Sequence, residues 1–117
     1  MSVKSATRGT VVELQVDETT GDGIVLAIPD SFKYHTFYIQ GLPAANISAG
    51  KVMIESTDRY EPAGGDDFGP IASEVTVTPG VTAAMQVITV IGVFKFIRAR
   101  ISTNIVGGTI NINYVGS

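Results

Sequence analysis

The feature that most constrains this chain is the alternation in its last third, VFKFIRARISTNIVGGTININYV, residues 93–115. From Lys95 to Thr103, Ile97, Ala99 and Ile101 fall on one face of an extended strand, and Arg98 and Arg100 on the other. After Gly107-Gly108, Ile110, Ile112 and Tyr114 alternate with Thr109, Asn111 and Asn113. Successive side chains of a strand point to opposite sides, so a period of two marks one buried and one wet face. Two such runs about a Gly-Gly pair predict an antiparallel hairpin.

The same reading extends upstream. Residues 10–16 alternate, with Val12, Leu14 and Val16 expected inward, and 17–23 (DETTGDG) form a turn. Residues 24–28 are continuously apolar, as in a strand covered on both faces or a packed edge. In 34–40, His35, Phe37 and Ile39 share one face, and Tyr34, Thr36 and Tyr38 the other. Strands are also expected over 51–56, with Val52 and Ile54 inward, over 74–78 before Pro79-Gly80, and over 85–91. Val, Ile and Thr are abundant and fit pleated sheets, while a helix is hard to place anywhere. About eight strands at these turn spacings predict an all-β fold, a single antiparallel β-sandwich of jelly-roll type.

A chain of 117 residues is one domain. Residues 1–9 carry no strong pattern and are expected to form a flexible N-terminal arm on a sandwich domain spanning 10–117. Eleven acidic against eight basic residues argue against a nucleic-acid binder. No run approaches a membrane helix and the N-terminus lacks the apolar core of a signal peptide, so a membrane role is not expected. There is no Cys, which excludes disulfides. Charged residues make up only 16%, which suits a protein whose surfaces are partly covered by neighbours.

Few residues could carry chemistry. His35 is the only His, and no Ser/His/Asp or His/Cys cluster can be assembled around one imidazole. Packing is the simpler role for it, and neither an enzyme nor a cofactor is expected. Residues 57–70 form a long irregular segment with Asp58, Glu61, Asp66 and Asp67 around Gly64-Gly65. Its spacing matches no calcium loop, so no metal is expected, and turn chemistry or a partner-facing loop remains. Arg98 and Arg100 form either an exposed face that blunts strand aggregation or an ionic surface toward a neighbouring subunit's acidic loop. Tyr34, Tyr38 and Tyr60 could stack on a sugar or pack within a sheet.

The order of these signals resembles a group of small bacteriophage virion proteins. The carriers are YHTFYIQG, GKVMIESTD, GVFKFIRARIS and GGTINI, beside the group's "TFxVxG", "GTVxIEGSxDG" and "YKYIRARxT…SGTVTVxY". The similarity runs from Tyr34 to Tyr114. It departs at Ser56-Thr57-Asp58-Arg59, which replaces the "GS.DG" turn, and in the following loop, where Phe68 stands near the place of a usual Trp.

The resemblance implies a virion accessory protein: a capsid decoration (cement) protein, or a domain of a spike or fibre. Expected partners are the major capsid protein and further copies of the chain, as a dimer or trimer, on the capsid surface. Lys4 and Arg8 of the arm would meet an acidic shell. Arg98, Arg100 and the loop residues Tyr60, Asp66, Asp67 and Phe68 are the other candidate contacts. The rival expectation is a carbohydrate-binding module that reads a host-surface glycan through Tyr60 and Phe68.

Overall fold

The computed structural model describes residues 3–59, 67–77 and 85–117. Ten strands are present among them: β1 (Val3–Ser5), β2 (Val12–Glu18), β3 (Val25–Ala27), β4 (Tyr34–Leu42), β5 (Ala49–Thr57), β6 (Gly69–Pro70), β7 (Val75–Thr76), β8 (Gln86–Ile91), β9 (Phe96–Val106) and β10 (Thr109–Gly116). A short 3-10 turn lies at Ala44–Asn46. No helix of the described residues is long and apolar enough to cross a membrane.

The strands form two packed sheets. The larger has the order β1-β3-β9-β5-β6, with β7 also pairing β5, and the smaller has the order β2-β10-β4-β8. Since β9 takes one edge of β5, β6 and β7 share the other. Leu14, Phe37, Ile39, Ile110, Ile112 and Tyr114 of the smaller sheet join Leu26, Val52, Ile54, Ile97, Ala99 and Ile101 of the larger in one core. Each fully buried aliphatic or aromatic side chain contributes about 1.5–3 kcal/mol from leaving water. The apolar run at 24–28 is covered on both sides as expected. Leu26 and Ile28 face the main core, while Val25 packs outward with Phe68 and Phe96.

Several expectations are corrected. The strand count rises from about eight to ten because β1 and β6, both very short, carried no side-chain pattern. The sandwich is not wholly antiparallel, since β1 runs parallel to β3. Of the expected arm, residues 1–2 lie outside the described residues, and residues 3–9 are not free. Beyond β1, Ala6 is buried and its N–H donates to the Ala27 carbonyl at 2.9 Å. The Gly9 N–H reaches the Gly116 carbonyl at 2.9 Å, and Arg8 lies 5.1 Å from the Phe32 ring centroid. These are backbone and aromatic contacts that need no alternation in the sequence.

The predicted hairpin is also overturned. β9 belongs to the larger sheet and pairs β3 and β5, whereas β10 belongs to the smaller and pairs β2 and β4. The Gly107-Gly108 connection is an arch that crosses the core, so the two alternating runs face each other instead of lying side by side. Val16 was expected inward and is 47% exposed. The register of β2 against β10 shifts between Asn113/Glu13 and Ile112/Gln15, leaving Leu14 and Gln15 both buried. An inserted residue moves every later side chain to the opposite face. Gln15 turns in, its amide donating to the carbonyls of Ala99 at 3.0 Å and Gly21 at 3.1 Å, and Val16 turns out.

Candidate functional site

The outer face of the larger sheet holds a charged cluster that its own chain covers. Arg98 on β9 lies opposite Glu55 on β5. Arg98 Nε donates to Glu55 Oε1 at 2.9 Å, and Arg98 Nη1 lies 3.5 Å from Asp22 Oδ2. Arg100 donates from Nε to Oε1 at 3.1 Å and from Nη2 to Oε2 at 3.2 Å. That hydrogen-bonded pair holds the Arg100 guanidinium above its ordinary range. The Phe68 ring closes the cluster, 3.9 Å from the Arg98 guanidinium carbon. Arg98 is 3% exposed and Glu55 5%. Two guanidiniums against two carboxylates leave no net charge in the cluster, and the arrangement clamps β9 to β5.

This corrects both readings for Arg98, while Arg100 keeps a side chain one-third exposed. Arg98 is neither exposed nor free for a neighbouring subunit, because Glu55 and Phe68 occupy it. Glu55 was missed, although Val52 and Ile54 facing inward place it on the arginine side. Of the loop candidates, Phe68 is 8% exposed and packs with Val25 and Phe96, so it is not a sugar platform. Asp67 pairs with Arg59 at 3.2 Å. Tyr60 and Asp66 lie outside the described residues. Lys4, on the edge strand β1 of the same sheet, and Arg8 are exposed, and Arg8 donates to Ser31 Oγ at 3.3 Å.

His35 is buried in the smaller sheet. Its Nε2 is 2.8 Å from the Gly92 carbonyl, an acceptor only, so Nε2 carries the proton and donates. Nδ1 is therefore bare in the neutral ring and accepts from the Tyr114 hydroxyl at 2.7 Å. Burial lowers the His35 pKa, opposed in part by the Gly92 bond, and pushes Tyr114 up to about 12.

Both shifts make stability depend on pH. Below 6.5 the unfolded chain protonates His35 while the folded chain resists, so stability falls with falling pH. Above 10 the unfolded Tyr114 ionises while the folded one resists until about 12, so stability falls again as pH rises. Because His35 is the only His, urea midpoints between pH 7.5 and 5.5 should report it directly. Tyr114→Phe should cost about 1–3 kcal/mol by leaving Nδ1 without a donor, and should remove Tyr114's share of the alkaline loss. A flat acid profile would mean that the folded chain takes up the proton at His35 as readily as the unfolded one.

The outer face of the smaller sheet is different in kind. Tyr34 is 55% exposed, Tyr38 37%, Val87 56% and Ile91 71%. The register sets Tyr34 against Ile91, Thr36 against Thr89 and Tyr38 against Val87. The tyrosines thus stand on the outer surface instead of being packed away within the sheet. No charged residue occurs between Met85 and Phe94, a signal that was present in the sequence. Contiguous exposed apolar surface of this kind marks an interaction face. No protein-family model, curated protein or solved structure matches the chain.

Proposed function

We infer that the chain is a structural virion protein, a capsid decoration (cement) protein that stabilises a phage head through contacts with the major capsid protein and with copies of itself. The observation that carries this reading is the uncharged, uncovered face formed by Tyr34, Tyr38, Val87 and Ile91. Such a face suits a protein that works by being covered. The motif resemblance between Tyr34 and Tyr114 points the same way.

The strand order adds support for a jelly roll. From β2 to β5 and from β7 to β10 the chain alternates between sheets, while β5, β6 and β7 follow one another in the larger, giving β2-β10-β4-β8 over β3-β9-β5 with β6 and β7 in one lane. Two four-lane sheets wound this way are the jelly-roll pattern, with β1 as an added edge strand. Viral capsid and lectin domains use that architecture, so the argument here is by analogy of fold. The competing spike or glycan-binding reading rested on Tyr60 and Phe68, and Phe68 is packed over Arg98.

The test is the copy number of the chain per purified parent particle, by quantitative mass spectrometry against the major shell protein. A simple ratio giving hundreds of copies is expected. A handful of copies would replace the decoration reading with a spike or tail component. Absence from the particle would overturn both.

A further inference from the structure

The four sheet edges are not alike. β1 is three residues long and carries Lys4. β2 carries Glu13 and Glu18, two register shifts, and Asp17 at φ 50°. β6 and β7 are two residues each, and β6 contains Pro70. Short strands, charges, bulges and proline are the devices that stop a sheet edge from recruiting another strand. The fourth edge, β8, has none of them. Its sequence QVITVI is uncharged and β-branched, and its six-residue register against β4 has no shift. Among the described residues it has no strand neighbour on its second side.

We propose that β8 pairs antiparallel with β8 of a second copy, about a two-fold axis at Thr89, joining the two smaller sheets into one of eight strands. This rests on the reading of the chain as a self-assembling structural subunit and names the surface it uses. The strand is self-complementary about that axis. Val87 meets Ile91 of the other copy, Ile88 meets Val90, and Thr89 meets itself. On the outer face the existing pairs extend into rows: Tyr34, Ile91, then Val87 and Tyr38 of the second copy, with Thr36 and Thr89 between two such rows. A two-fold interface is isologous, so one uncharged strand can serve both sides without opposing like charges.

What this pairing buries is the second side of β8, together with parts of Val87 and Ile91 on it and of Met85 and Val93 beside it in sequence, all about half exposed or more; the tyrosines of β4 stay on the joined outer surface. The second copy is favoured over a different protein because the pattern matches its own reverse and offers no charge for a heterologous partner to read.

The chain has no cysteine, so one introduced at Thr89 reports the register cleanly. Directly opposed residues in an antiparallel pair have Cα atoms about 4.5–5.5 Å apart, inside the range a disulfide spans. Full-length Thr89→Cys is expected to form a disulfide-linked dimer under mild oxidation, while Val16→Cys on the protected β2 edge is not. Sedimentation of the unmodified chain should show a concentration-dependent dimer. Thr89→Lys, which sets two ammonium groups against each other, should weaken it by at least about tenfold with unchanged thermal unfolding of the protomer. A monomer at all concentrations, or a dimer indifferent to Thr89→Lys and uncrosslinked by Thr89→Cys, would overturn the proposal. Either result is independent of copy number: a chain absent from particles could still dimerise through β8, and a decoration protein could fail to.

Discussion

Replacing Glu55 by Ala lowers the stability of the chain by about 3–5 kcal/mol, the range for removing one partner of a buried ion pair. The expectation comes from what is left behind. Arg98 stays beneath Phe68 with its Nε donor aimed at an empty position, and its nearest carboxylate is then Asp22 at 3.5 Å. The Asp22 side chain is 61% exposed, so water screens much of its attraction. A domain of this size has about two or three such losses in hand. Replacing both partners, Glu55→Met with Arg98→Met, should recover most of the loss. Two apolar side chains of similar volume leave no buried charge, and Arg100, one-third exposed, can turn to water. Urea unfolding at unchanged m-value measures both variants. A Glu55→Ala loss below about 1 kcal/mol would mean that the cluster behaves as a surface pair.

That cluster shows how far the sequence could be read. The alternation in 95–103 put Arg98 and Arg100 together on the face away from Ile97, Ala99 and Ile101, and this is where they lie. What alternation leaves open is what covers a face. Arg98 is buried because Phe68, thirty residues upstream, returns over it, and no local pattern encodes that return. The apolar residues outside the bulged strand were placed well for the same reason. Phe37, Ile39, Val52, Ile54, Ile110 and Ile112 are all buried, since each sits in a regular strand whose period fixes its side. Val16 fails because the Leu14–Gln15 bulge breaks that period.

Strand pairing was less legible than strand faces. Backbone hydrogen bonds join β1 to β3 and carry no side-chain signature, so VKS looked like a free arm. The exposed face of the smaller sheet was legible in composition, as the uncharged stretch around β8, but its continuity is not. Tyr34 and Ile91 are far apart in sequence, and only the register of β4 with β8 makes them neighbours. The candidate interface is therefore a product of pairing, the property that period-two patterns specify least.

The arch at Gly107 is where pairing was misjudged, and it yields the second large effect. Gly107 has φ +91°, in the region that side chains with a Cβ avoid. A Cβ there would collide with the Asn46 carbonyl oxygen, part of the turn that leads into β5. The arch cannot yield easily, since Ser48 N–H already donates to the Val106 carbonyl at 2.9 Å and Ala49 pairs with Val106. Gly21 is the control, with φ +113° and nothing within 4 Å of its would-be Cβ. Gly21→Ala should cost about 1–2 kcal/mol, the conformational term alone. Gly107→Ala adds a backbone collision and should cost about 3–5 kcal/mol. Chemical denaturation of the two variants separates the terms. Equal losses would mean that the chain can open at residues 106–109 without cost, and that the tight crossing between sheets is not what joins β9 to β10. A hairpin turn on a solvent-facing edge would tolerate the methyl group, so the difference between the two glycines measures how firmly the arch is wedged against the 44–48 turn.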